Sequence, residues 1–98
     1  MKYKVVYLPE ARADAEEIRR YLSQYYQSTV RNFFALLKQS IDRLKVNPLI
    51  YERYDKRPAY RRMVVGDYLV FYKVAENEKK VEIHRILHAN RDIGRYLS

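Results

Sequence analysis

Two histidines, His84 and His88, are the only imidazoles in the chain, and the cations Lys56, Arg57, Arg61 and Arg62 follow one another with no acid between them. On a helix, imidazoles four residues apart could share a metal ion. On a strand the same spacing separates them by roughly 13 Å at about 3.3 Å per residue, too far for one ion. The run "VEIHRILH" alternates as a strand does, so no shared metal site is expected. Taken singly, each histidine is more often structural or superficial than catalytic. His88 is the stronger candidate, because it stands where the run ends, near Arg85 and Arg91.

The basic cluster offers different chemistry. Guanidinium forks recognise phosphate or carboxylate in bidentate fashion, and Arg85, Arg91 and Arg95 could join the cluster across a sheet. A solvated loop would carry the same residues. Nothing in the chain suggests a nucleophilic triad or a paired-carboxylate site, and two glycines are too few for a phosphate-cradling loop. No cofactor is expected.

The elements that must position these residues follow from periodicity. "KYKVVY" at Lys2–Tyr7 alternates and is rich in β-branched residues, which makes a strand. Pro9 suits the first turn of a helix, and Ala11, Ala15, Ile18, Leu22 and Tyr25 form its apolar stripe. Ser28 or Thr29 could cap a second helix whose buried face is Val30, Phe33, Phe34, Leu37, Ile41 and Leu44, ended by Asn47-Pro48. A long irregular connection, "NPLIYERYDKRPAY", leads to strands at Tyr60–Val65, Tyr68–Val74 and Lys80–Leu87. Gly66-Asp67 is a two-residue hairpin turn, and "HANRDIGRYL" reads as a short terminal helix.

The fold class is therefore α+β, in the order β-α-α-β-β-β. An antiparallel-rich sheet carries a helical hairpin on one face and a short C-terminal helix follows. Residues 1–98 make one domain. The opposite face of the sheet stays at least partly open. Unbroken alternation puts Val81, Ile83, Arg85 and Leu87 on one side of the last strand, and Glu82, His84, Ile86 and His88 on the other.

Composition narrows the partners. Hydrophobic residues at 48% and charged residues at 33% describe a globular chain rather than a disordered one. The net charge of +8 is spread evenly, with +4 in each half, and favours an acidic or polyanionic partner. Eleven tyrosines suit interfaces, although most belong to a half-buried core. With no cysteine, a reducing cytoplasm is the expected location. No apolar run approaches the roughly 20 residues that span a bilayer, and the N-terminus turns acidic where a signal peptide stays apolar.

Three stretches carry a family resemblance: "LPEARADAEEIRRYL", the hairpin "YRRMVVGDYLVFYKV" and the closing "VEIHRILHANRDI". Together with the element order they resemble the RelE/ParE superfamily of bacterial toxins, over nearly the whole chain. The resemblance implies the toxic half of a two-component toxin–antitoxin module, silenced by an acidic antitoxin encoded nearby. RelE-like members cleave messenger RNA on the ribosome with basic residues of the open sheet face. ParE-like members lack that set and poison DNA gyrase by binding it.

The resemblance also implies where the branches part. RelE-like ribonucleases have an arginine just before the apolar core of the third strand, where this chain has Leu69. Leucine cannot stabilise a phosphorane. "RILHANRD" is closer to the ParE-like ending. The leading expectation is a gyrase-binding toxin whose basic face is Lys56, Arg57, Arg61, Arg62, Arg85 and Arg91. The alternative is a ribosome-dependent endoribonuclease using Arg62, Arg85 and His88, and a further one is a non-toxic nucleic-acid-binding relative.

Overall fold

The computed structural model describes residues 2–97. The chain forms β1 (Lys4–Tyr7), α1 (Pro9–Leu22), α2 (Gln27–Val46), β2 (Arg53–Tyr54), β3 (Arg57–Val65), β4 (Tyr68–Ala75) and β5 (Lys80–His88). Single 3-10 turns occupy Glu76–Glu78 and Ile93–Arg95, so the expected terminal helix is one tight turn. The sheet order is β1-β5-β4-β3-β2. β1 runs parallel to β5, and every other pairing is antiparallel.

Local chemistry accounts for most element boundaries. Pro9 opens α1 behind an extended Leu8, where its missing N–H costs nothing. α2 starts earlier than its hydroxyl residues suggest: Tyr26 is the N-cap, and Ser28 and Thr29 lie inside the first turn. Gly66 takes φ +60° in the turn that lets Val65 face Tyr68, a conformation that glycine adopts without strain. The connection read as irregular contains a short strand, because Arg53 pairs with Arg61 and Tyr54 with Arg57.

Both helices lie on one face of the sheet. Ala11 and Ile18 of α1 and Phe33, Leu37, Ile41 and Leu44 of α2 pack on Met63, Val65, Val70, Tyr72, Val81, Ile83 and Ile86. Each of the valine, leucine, isoleucine, phenylalanine and methionine side chains contributes about 1.5–3 kcal/mol by leaving water. The Tyr72 hydroxyl donates to the Pro48 carbonyl at 2.7 Å, satisfying the one polar atom that this ring brings inside. Burial pushes its phenol well above the usual tyrosine range.

Alternation does not run unbroken along β5. Tyr72 faces Ile83 and Phe71 faces Arg85, so His84 is an extra residue, a β-bulge. The bulge reverses the parity beyond it. Ile86 joins Val81 and Ile83 beneath the helices, whereas Leu87 turns to the other face with Phe71. The expected grouping of Val81, Ile83, Arg85 and Leu87 on one side is therefore corrected. On that helix-free face Tyr60, Phe71 and Leu87 form a second cluster with Leu97, flanked by Leu69, Ile93 and Tyr96. The C-terminal segment thus roofs part of the face expected to stay at least partly open.

Candidate functional site

β1 ends opposite Ile83, where the Leu8 N–H still bonds the Ile83 carbonyl at 3.0 Å. Beyond that point β5 has no strand on its β1 side, and α1 supplies a substitute. Asp14 Oδ2 accepts the Ile86 N–H at 2.9 Å and Arg85 Nε at 2.7 Å, while Oδ1 accepts Arg85 Nη2 at 2.8 Å. Arg85 Nη1 donates to the Tyr96 carbonyl at 3.2 Å, and the guanidinium lies 5.3 Å from the Tyr96 ring centre. The hydrogen bonds to Asp14 push the Arg85 guanidinium further above its already high range. Arg85 therefore has a structural task, tying α1, β5 and the C-terminal segment together.

Beside this pair lies a groove of about 340 Å³, lined by Glu17, Tyr21, Tyr68, His88, Arg91 and Tyr96 among others. Arg91 Nη2 donates to Glu17 Oε1 at 3.1 Å, and its Nη1 donates to the Tyr96 hydroxyl at 2.9 Å. His88 Nδ1 accepts the Asn90 N–H at 3.0 Å, which places the proton of the neutral ring on Nε2. The His88 ring meets Tyr68 edge-on at 5.2 Å, and Tyr68 belongs to the helix-side core. His88 and Leu69 are thus on opposite faces, because His88 is in register with Tyr68 and Leu69 with Leu87.

The helix-free face holds the other residues singled out by chemistry. Arg62, Phe71 and Arg85 line up across three strands, with the apolar ring between the two guanidinium stems. Arg62 stacks on Tyr54 at 5.8 Å. Leu69 packs into the apolar cluster under the C-terminal segment. At the far end of this face His84 meets Tyr60 edge-on at 5.2 Å and approaches Glu82 at 3.4 Å. Partial burial holds the His84 pKa below the usual 6.5 against the pull of Glu82.

The six cations expected to form one basic face divide into two groups. Arg85 and Arg91 sit at the α1 side, each engaged by a carboxylate. Lys56, Arg57, Arg61 and Arg62 stay together on the β2–β3 hairpin, joined by Arg53. Arg95 is exposed at the end of the terminal turn. The set Arg62, Arg85 and His88 does not share one face. Among the described residues no group of three metal-ligating side chains exists.

Sequence reasoning missed Asp14 and Arg53. Asp14 had a readable signal: it lies three residues after Ala11 and four before Ile18, a carboxylate on the apolar stripe of α1. Arg53 had none beyond its charge, because its strand is two residues long.

Comparison with known proteins agrees with this architecture. The family model described as "ParE toxin of type II toxin-antitoxin system, parDE" matches residues 5–93. Toxin ParE1 of Mycobacterium tuberculosis is 30% identical over 99 residues, spanning 99% of this chain and all of that protein. Among solved structures, the chromosomal ParDE system of P. aeruginosa superposes with a TM-score of 0.71 at 16% identity, covering 89% of this chain and 96% of that one. The RelBE2 toxin–antitoxin complex of M. tuberculosis gives 0.67 at 18% identity, covering 90% and 99%. Both structural likenesses are likenesses of fold. The match to the family model over most of the sequence decides the matter: this chain belongs to the ParE toxin family of type II toxin–antitoxin systems.

Proposed function

We propose that this toxin arrests growth by binding and poisoning DNA gyrase, without cutting a phosphodiester itself. The observation that carries the reading is the surrounding of Leu69. Where cleavage of RNA would call for a guanidinium, this face has Leu69, Leu87 and Phe71 beneath Ile93, Tyr96 and Leu97. Arg85, the nearest substitute, is committed to Asp14, and His88 faces away. These placements weigh against the ribosome-dependent endoribonuclease built on Arg62, Arg85 and His88. The cations Lys56, Arg57, Arg61 and Arg62 supply the target-facing charge, with Arg85 and Arg91 set apart by their carboxylate partners Asp14 and Glu17.

The antitoxin in this reading is an acidic chain that folds as it binds. Tyr21, Tyr25 and Tyr26 are 49%, 58% and 75% exposed at one end of the helical hairpin, and Leu36 and Val64 add exposed apolar surface. Such a surface suits a wrapping partner, and the +8 charge supports an acidic one. The cytoplasm is the compartment where target and antitoxin would both be met.

Purified toxin added to gyrase and plasmid is expected to inhibit supercoiling and to increase gyrase-linked DNA breaks. Unchanged supercoiling and unchanged breakage at large excess of toxin would overturn the proposal. New 5′ ends on translated messages, mapped by primer extension during growth arrest, would favour the ribonuclease instead.

A further inference from the structure

The β2–β3 hairpin carries charge in an arrangement that a solvated surface does not need. Residues 51–62 hold the cations Arg53, Lys56, Arg57, Arg61 and Arg62 against only Glu52 and Asp55. Arg53 and Arg61 stand directly opposite each other across the two strands, a like-charge pair that destabilises a sheet when nothing lies between. Among the described residues none of the five cations is within ion-pair distance of a carboxylate. Three arginines are instead held by backbone carbonyls. Arg61 donates to the Tyr51 carbonyl at 2.7 Å, Arg53 to that of Pro58 at 3.2 Å and Arg57 to that of Lys56 at 3.1 Å. A carbonyl orients a guanidinium without neutralising it.

The charges also occupy both faces of the ribbon. Arg61 is in register with Tyr72 of the helix-side core, so Arg61 and its partner Arg53 share that face. Arg62 is in register with Phe71 and stacks on Tyr54, so it lies on the helix-free face. β2 is the outermost strand, and Arg57–Ala59 of β3 extend past the register with β4. The result is a two-stranded ribbon at a sheet edge, positive on each side.

We infer that this ribbon enters the major groove of duplex DNA, with its two cationic faces against the two phosphate walls. A major groove is about 12 Å wide and admits a two-stranded ribbon. A flat acidic protein surface would engage one face and leave the other unmatched, whereas a groove flanked by phosphates on both sides engages both. The contacts are to backbone phosphates, so binding is independent of sequence and dependent on salt. The inference goes beyond the gyrase reading and is measured with DNA alone, so either can fail without the other.

The test is fluorescence anisotropy of a labelled 20-base-pair duplex of arbitrary sequence titrated with free toxin across a salt series. Two triple variants of equal charge loss are compared. The first is Arg53→Gln, Arg57→Gln and Arg62→Gln. The second is Arg20→Gln, Arg31→Gln and Arg43→Gln, all exposed on the helices. The ribbon variant is expected to bind at least tenfold more weakly, with a log–log salt slope about 2 to 3 units shallower, at about 0.9 per phosphate contact. The helix variant is expected to stay within about threefold of the parent, since only general attraction is reduced. Equal loss in both variants would overturn the inference. So would binding of a single strand as tight as the duplex, or binding of the toxin to polyglutamate with no duplex binding at all. Unfolding of the ribbon variant, checked by circular dichroism, leaves the single change Arg53→Gln to decide, by whether it relaxes binding at all.

Discussion

Asp14 and Arg85, 71 positions apart in sequence, form a two-point ion pair at 2.7 and 2.8 Å in which the same carboxylate also accepts the Ile86 N–H. The side chains are only 10% and 19% exposed, so the pair is little screened by water. Replacing Asp14 by alanine strands both a guanidinium and a backbone N–H, and is expected to cost about 3–5 kcal/mol. Asp14→Asn keeps an acceptor for Ile86 and should cost less. Removing both charges together, as Asp14→Leu with Arg85→Leu, should lie closer to the parent than either single change. Urea unfolding of the parent, the single variants and the double variant checks the order.

Leu69→Arg restores the residue type that the ribonuclease branch carries, and it should not restore cleavage. Arg85 remains tied to Asp14 and His88 remains on the opposite face. Primer extension on translated messages in cells expressing the variant is expected to show no new 5′ ends.

The pH response should reveal His84. Burial depresses its folded pKa below the unfolded value of about 6.5, so between those two values the unfolded chain binds the proton more readily. Stability therefore rises with pH through that window and falls as pH drops through it. Although partly buried, Glu82 is kept below its usual 4.5 by hydrogen bonds from His84 and Lys80, so its loss of stability begins at lower pH. Melting temperatures recorded between pH 5 and 7 should climb for the parent and flatten for His84→Gln.

Leu97 is buried at 4% exposure although it lies near the end of the chain. Leu97→Ala is expected to cost about 2 kcal/mol, the low end for a buried leucine, because the small cluster around Phe71 can partly close. Amide exchange should quicken at Ile93–Leu97 and leave α1 and α2 unchanged. A uniform change across the molecule would contradict a local roof.

Gly66→Ala tests the hairpin turn. An added methyl would have room, its nearest neighbour being Leu36 at 3.9 Å, so the cost is one of backbone conformation. About 1 kcal/mol is expected, and less for Gly66→Asn, since asparagine tolerates positive φ.

Most of this architecture was legible in the residues themselves. The apolar stripes of α1 and α2 and the alternation of β4 name their own elements, and Gly66-Asp67 names its turn. Three features were not legible, for separate physical reasons. The bulge at His84 inserts one residue without changing composition, so alternation read straight through it misassigns Arg85, Ile86 and Leu87. β2 is too short to show any period, and its pairing with β3 is made by backbone groups such as the Arg62 N–H and the Glu52 carbonyl, which no side-chain pattern announces. The division of the basic face follows from Asp14 and Glu17, acids distant in sequence whose approach to Arg85 and Arg91 only the packing of α1 reveals.

The pairing of β1 with β5 carries a consequence for the order in which the fold can be completed. β1 precedes both helices in the chain yet has its seat beside β5, which follows the other strands of the sheet, so β1 has no strand to pair with until residues 80–88 are in place. A nascent chain halted earlier has a helical hairpin and an incomplete sheet, with Asp14 lacking Arg85. β5 is therefore the keystone of the fold: until it docks, neither the sheet nor the tie between α1 and Arg85 is complete.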